Sequence, residues 1–184
     1  MRGWTIAGVL DVERASARPD LLAEPVAKAV HSLDTPDEIG VVEIDPDLAD
    51  TAEFCAAYSS PADASANCVA VAGKRGGEVR YAAAMVLATT RADVNGVIKR
   101  RLDVRKASFL PMADAVELTG MAYGGITPLG LPADWPILVD AAVAACPELV
   151  IGSGVRHGKL LVTGSQLATL PTAEVIECLA KPVE

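Results

Sequence analysis

The chain has 184 residues, 51% of them apolar but only 4% aromatic, with a formal net charge of −8 and an isoelectric point near 4.8. That length suits one domain with a real core of small aliphatic side chains, and the apolar content excludes a disordered chain. The acidic balance argues against DNA binding and against any nucleic-acid grip built on many Lys/Arg–phosphate contacts, so an RNA partner would be touched only locally.

In chain order, the start MRGWTIAGVLDVERASARPD lacks the apolar run and cleavage site of a signal peptide. No segment reaches the roughly 18 apolar residues of a membrane span. A cytoplasmic protein with no membrane partner is expected. Arg18-Pro19-Asp20 precedes LLAEPVAKAVHSL, a helix interrupted by Pro25. IGVVEI (39–44) reads as a strand. Asp47 starts a second helix, DLADTAEFCAAY, which Ser59-Ser60-Pro61 ends.

NCVAVAG (67–73) and EVRYAAAMVLAT (78–89) are apolar strands, read as a hairpin with a loop of three to five residues. Asp93 caps VNGVIKRRL, a short helix carrying Lys99, Arg100 and Arg101. With Arg105 and Lys106 these cations form either a solvated face or a phosphate contact. KASFL (106–110) is a strand. Pro111 opens the helix MADAVELTG, and Gly120 closes it.

Residues 119–130, TGMAYGGITPLG, stand out. Gly124 and Gly125 tolerate φ > 0 or a close neighbouring chain, Pro128 fixes its own φ, and Thr127 before it is pushed towards extended backbone. A stiff loop with exposed N–H groups follows, suited to the carbonyl or carboxyl end of a small substrate. ILVD (137–140) is a strand leading into an Ala-rich helix, where Asp140 either caps the helix or serves a site. LVIGSG (149–154) and KLLVTG (159–164) form a hairpin across 155–158, Ser165–Leu170 a helical turn, and AEVIECL (173–179) a closing strand. Strands and short helices mix without βαβ regularity, which predicts an α+β domain with a mixed, curved sheet.

Several standard chemistries are absent. GSGVRHGKL (152–160) fails as a Walker A loop, because Ser153 and Leu160 stand where Gly and Ser/Thr are needed. It fails as G-x-G-x-x-G because His157 takes the last glycine position. His31 and His157 have no metal-binding spacing, so no metal is expected. Cys55, Cys68, Cys146 and Cys178 form no C-x-x-C pair and read as small buried hydrophobes. No G-x-S-x-G appears, leaving Ser153 and Ser165 without patterned partners. An enzyme on this chain would position water or substrate groups and stabilise charge with backbone dipoles.

From about residue 50 to 180 the order of motifs resembles the YbaK/prolyl-tRNA-synthetase-associated editing domains. TAEFCAAY, NCVAVAG, VIKRRLDVRKASFLPMADAVELTG, GGITPLGLP, ILVD and VIGSG are similar in turn to that family's early helix, first central strand, charged helix with strand and helix, G-x-x-x-P loop, later strand and glycine turn. The resemblance implies one domain over 1–184, with a less diagnostic helix-and-strand region at 1–50 and an editing core at 51–180. It implies a barrel-like mixed sheet flanked by short helices, no cofactor and no metal. The implied activity is hydrolysis of the ester joining a wrong, typically small, amino acid to tRNA. The implied partners are the aminoacyl-tRNA 3′ end and, optionally, an aminoacyl-tRNA synthetase. On these grounds Gly124, Gly125, Thr127, Pro128 and Asp140 are the candidate catalytic residues, and Asn67, Lys106, Gly152, Ser153 and Gly154 the candidate substrate-binding residues. One departure is plain: the family's usual lysine at the start of the first central strand aligns with Asn67, which brings no charge. Either a neighbour such as Lys99, Arg105 or Lys106 substitutes, or the substrate differs, or deacylation is weak; the alternative is a binding module that keeps the pocket without the chemistry.

Overall fold

The structure is a computed structural model that describes residues 3–183. Its strands are β1 (Glu13–Arg14), β2 (Gly40–Glu43), β3 (Ala66–Arg75), β4 (Glu78–Leu87), β5 (Thr90–Ala92), β6 (Ala107–Phe109), β7 (Ile137–Asp140), β8 (Leu149–Gly152), β9 (Gly158–Val162), β10 (Ala173–Ile176) and β11 (Ala180–Pro182). The helices are α1 (Glu24–His31), α2 (Thr51–Tyr58), α3 (Lys99–Leu102), α4 (Met112–Thr119), α5 (Ala141–Ala144) and α6 (Gly164–Ala168). The fold is α+β, as expected.

Two sheets carry the domain. One has the order β1-β2-β9-β8 and is antiparallel throughout. The other, β10-β7-β4-β3-β6, is mixed: β10, β7 and β4 run parallel, while β3 and β6 are antiparallel to their neighbours. A bridge between Ser65 and Val150 joins them without closing a barrel. The period-2 alternation of strand side chains decides what each face covers. Met85, Ile137 and Val139 of the mixed sheet face Leu149, Ile151, Leu160 and Val162 of the other, with Val26 and Val30 of α1, in one apolar layer. Ala82, Ala84, Val86 and Leu138 point the opposite way, onto Ile98 and Leu102. On the outer face of the antiparallel sheet, Val42, Val150 and Leu161 pack under Phe54 of α2.

Several boundaries differ from expectation, each for a local reason. Pro25 does not interrupt the first helix. It occupies the opening turn of α1, where its missing N–H costs nothing. The β3–β4 hairpin turns on two residues, not three to five. Gly76 and Gly77 have φ of 58° and 84°, the primed-turn geometry that matches strand twist. The helix read from Asp47 is split. Asp45 caps a short 3-10 turn at Pro46–Leu48, the chain extends at Asp50, and α2 begins at Thr51. Pro111 precedes α4 as its cap residue, and Gly120 ends it in the left-handed region as predicted. The closing strand is broken near Cys178, whose φ is 56°, so β11 leaves β10 and pairs with β5. The short strands β1 and β5 are too brief for periodicity to reveal. Among the described residues, no helix is long and apolar enough to cross a membrane.

Candidate functional site

A cavity of about 340 Å³ opens where five chain segments meet. Ala49, Asp50, Thr51 and Phe54 form one wall, and Ser65–Ala70 of the β3 region form another. Tyr123, Gly124 and Ile126 come from the glycine-rich loop, and Val150–Gly152 with Lys159 from the β8–β9 hairpin. Phe109, Leu110 and Ala115 complete the rim. The lining is graded. Ala49, Phe54, Val150, Ile151 and Lys159 are buried, whereas Asp50, Asn67 and Gly124 are exposed, and Phe109 and Tyr123 are each 55% exposed. In a chain with so few aromatic residues, two ringed side chains left open beside one cavity are informative.

The loop is held rigidly. Gly125 N–H donates to Ala122 O at 3.0 Å, and Gly154 N–H to Gly125 O at 2.7 Å. Gly124 has a φ of 82°, and a Cβ there would sit 2.5 Å from Nη1 of Arg156. Arg156 reaches over the loop, donating from Nε and Nη2 to Pro46 O (3.2 and 2.9 Å) and from Nη1 to Tyr123 O (3.4 Å). Asp50 faces the same guanidinium at 3.8 Å. Two of the loop's amides, on Ala122 and Gly125, are therefore spent on holding it. Gly124 and Ile126 line the cavity, and their N–H groups make no hydrogen bond to protein among the described residues.

The predicted site residues divide into those at the cavity and those away from it. Asn67, Gly124 and Gly152 line it. Asn67 Oδ1 accepts from Thr51 Oγ1 at 3.0 Å, which leaves its amide N–H groups as donors at the rim. Gly125, Thr127, Pro128, Ser153 and Gly154 do not line the cavity and are buried in the supporting layer. Thr127 is fully buried, with its N–H towards Met121 Sδ at 3.5 Å. The hydroxyls of Thr127 and Ser153 are buried without a hydrogen-bond partner. Asp140 is also off the cavity: Oδ1 accepts from Ala142 N at 2.9 Å, capping α5, and Oδ2 from Ala180 N at 2.9 Å. Lys106 lies at the far end of β3, its carbonyl beside Gly73. At strand rise that is about 20 Å from Asn67. Lys99 and Arg105 do not line the cavity either, and Arg101 pairs with Glu174 at 2.5 Å. Among the described residues no cluster of His, Cys, Asp or Glu is placed to hold a metal ion.

In the sequence Arg156, His157 and Lys159 read either as a solvated hairpin tip or as an anion-binding cluster, and Asp50 as one residue of the helix begun at Asp47; none is among the site residues named there. In the fold, Arg156 straps two loops together and Lys159 is a cavity residue only 7% exposed. Its alternation with Leu161 on a predicted strand was the available signal, but a lysine next to a turn reads as solvated. Burial pushes the thiol of Cys68, which lines the cavity and is half-buried, up to about 12, so it stays protonated at neutral pH.

These features define a class: a mixed α+β domain with a glycine-walled cavity. Comparison with known proteins gives its family. Residues 45–170, more than half of the chain, match the aminoacyl-tRNA editing domain. The chain belongs to that family. Among solved structures it is similar to a candidate trans-editing enzyme for prolyl tRNA synthetase, at 22% identity and a TM-score of 0.71, over 84% of this chain and 94% of that one. A structure of a hypothetical protein is similar at 19% identity and a TM-score of 0.67, covering 77% and 90%. A scaffold protein used for grafting epitopes is similar at 21% identity and a TM-score of 0.71, covering 84% and 95%. These likenesses show a shared fold. No curated protein matches the chain.

Proposed function

We propose that this protein is a trans-acting deacylase that hydrolyses the ester bond of a misacylated aminoacyl-tRNA. The observation that carries the reading is the cavity wall: Gly124 and Ile126 line an opening large enough for an aminoacyl group, and both have N–H groups without protein partners among the described residues. Donors fixed in advance stabilise the negative charge that develops on an ester carbonyl oxygen, and they need no reorganisation as it forms. Water, oriented by a hydroxyl of the substrate's own ribose, attacks the carbonyl carbon held there; the ester C–O bond breaks, the ribose leaves with its hydroxyl restored by a proton from that water, and the amino acid leaves as its carboxylate. The exposed rings of Phe109 and Tyr123 give the terminal bases of a single-stranded end a stacking surface. Stacking suits a protein of net charge −8, which meets tRNA at its end and not along its backbone. The Asn67 amide takes a ribose hydroxyl or a phosphate oxygen at the rim. Likeness to a candidate trans-editing enzyme for prolyl tRNA synthetase supports action on a tRNA charged elsewhere. The same reading places the protein in the compartment of translation, with a synthetase as an optional partner.

The test is a panel of mischarged tRNAs incubated with excess protein. Hydrolysis of at least one ester well above the buffer rate is expected. No hydrolysis of any, together with measurable binding of an aminoacyl-adenosine analogue, would leave a binding module instead. In that case Asn67→Lys is the variant to assay for restored chemistry.

A further inference from the structure

Lys159 is the cation buried against this cavity. It pairs with Val42 on one side and Gly152 on the other, and shares with Leu161 the sheet face covered by α2. Its ammonium donates to Ala49 O at 2.6 Å and lies 5.5 Å from the centroid of the Phe54 ring. Ala49 and Phe54 line the cavity with it. Only one of the three N–H groups thus has an acceptor, and among the described residues no carboxylate reaches it within 4.0 Å. Burial pushes its pKa below the ordinary value, with Asp50 pulling weakly the other way. A buried ammonium short of acceptors is costly unless something supplies them. At the rim a ligand meets rings, an amide and the Asp50 carboxylate, which Arg156 faces at 3.8 Å. On the buried side it meets Phe54, small apolar groups, the Ser65 hydroxyl and this one cation.

We propose that Lys159 reads the far end of the bound aminoacyl group. The cavity takes a side chain that ends in an oxygen acceptor, a carboxylate ahead of an amide, and rejects an apolar side chain of the same size. The inference rests on the deacylase reading for the orientation of the ligand, with the nucleoside end at the aromatic rim and the side chain on the floor. The physical reason for rejection is asymmetric. An apolar end would displace water from the ammonium and leave its donors unpaired, whereas a carboxylate completes them. Sites built to hydrogen-bond a substrate discriminate far more strongly than apolar pockets do.

The experiment charges one tRNA with aspartate, asparagine or leucine, which are close in size, and measures kcat/KM for the wild type, Lys159→Met and Lys159→Arg. The expected wild-type order is aspartyl, then asparaginyl, then leucyl, with about 100-fold between the first and last. Lys159→Met should bring the aspartyl-to-leucyl ratio towards one, and Lys159→Arg should retain part of it. The dissociation constants of the matching 3′-aminoacylamino-3′-deoxyadenosine amides, which are not hydrolysed, should follow the same order. A wild-type preference for leucine would overturn the proposal, and this needs no variant to fold. An equal loss on all three esters in a folded Lys159→Met would also overturn it, since Lys159 would then serve the ester itself. If no ester is hydrolysed, the deacylase reading fails by itself. The amide-binding order still tests Lys159: tighter binding of the aspartyl compound supports the proposal, and equal or weaker binding rejects it.

Discussion

Gly154 N–H donates to Gly125 O at 2.7 Å, and Ala122 N–H returns a bond to Gly154 O at 2.8 Å. This two-way pairing fastens the glycine-rich loop to the β8–β9 hairpin and sets how far Gly124 and Ile126 stand from the opposite wall. Gly152 carries no side chain because a Cβ would overlap Gly125 O, so backbones meet backbones at this seam.

Gly125→Ala should break the seam. The added Cβ would lie 2.6 Å from Val155 O and 2.9 Å from Val155 N, and backbone atoms cannot step aside as a flexible side chain can. A loss of about 1–3 kcal/mol in urea unfolding is expected, with at least a tenfold fall in deacylation. Gly76→Ala is the control: its φ of 58° brings strain of about 1 kcal/mol, but nothing crowds it and the cavity is distant. Equal losses of activity in the two variants would show that the seam does not shape the site.

Arg156→Lys should loosen the rim while preserving its charge. The guanidinium fork holds Pro46 O with two N–H groups and Tyr123 O with a third, a geometry an ammonium cannot copy. The expected result is a higher KM with a stability loss of about 1 kcal/mol. A variant matching the wild type in both steady-state kinetics and thermal unfolding would contradict this role.

Asp140→Ala separates a structural from a chemical duty. Both carboxylate oxygens already accept backbone N–H groups, from Ala142 and Ala180, and the residue does not line the cavity. Loss of the cap should cost about 1–2 kcal/mol, while kcat/KM per folded molecule stays unchanged. A fall in kcat/KM beyond the loss of folded protein would return Asp140 to the chemistry.

Phe109→Ala and Tyr123→Ala should each raise KM and spare kcat. Stacking of one base is worth about 1–3 kcal/mol, so the increase should reach roughly tenfold. The wild-type KM should also depend only weakly on salt, because few cations meet the ligand. A steep rise of KM with salt would instead indicate that phosphate contacts carry the binding.

Lys159 gives a pH dependence with a definite sign. Burial lowers its folded-state pKa from the ordinary 10.5, so just below that value the unfolded chain binds more protons than the folded one. Stability of the wild type relative to Lys159→Met should therefore rise with pH across that window and level off above it. Urea unfolding of both proteins between pH 7 and about 10 measures the difference. Cys68, raised by burial, titrates in both and cancels. A flat difference would mean that Lys159 is not desolvated.

Much of the architecture was legible before any coordinates. β3, β4, β7 and β8 were readable because apolar runs bounded by turn residues leave few alternatives, and α4 because Pro111 and Gly120 bracket it. The loop at 119–130 announced itself through residues chosen for backbone geometry, and the order of motifs pointed to the family. The cavity's chemistry was harder to see. Gly124 and Gly152 stand out because glycine clusters can be seen locally, and Asn67 because the resemblance aligns it with the family's usual lysine. The burial of Lys159 is not visible that way, because it comes from the Ala49 carbonyl and the Phe54 ring, both far away in the chain.

The amino-acid order alone therefore determined the α+β class, the stiff glycine loop and the absence of a patterned nucleophile motif, since each depends on spacing within a few residues. Only the tertiary structure decided which loop amides remain free, that Asp140 and Lys106 stand away from the cavity, and that a lysine beside a turn is buried at its floor. Those outcomes depend on which segments α2 and the two sheets bring together, and burial and pairing are properties of the assembled neighbours, not of the residue.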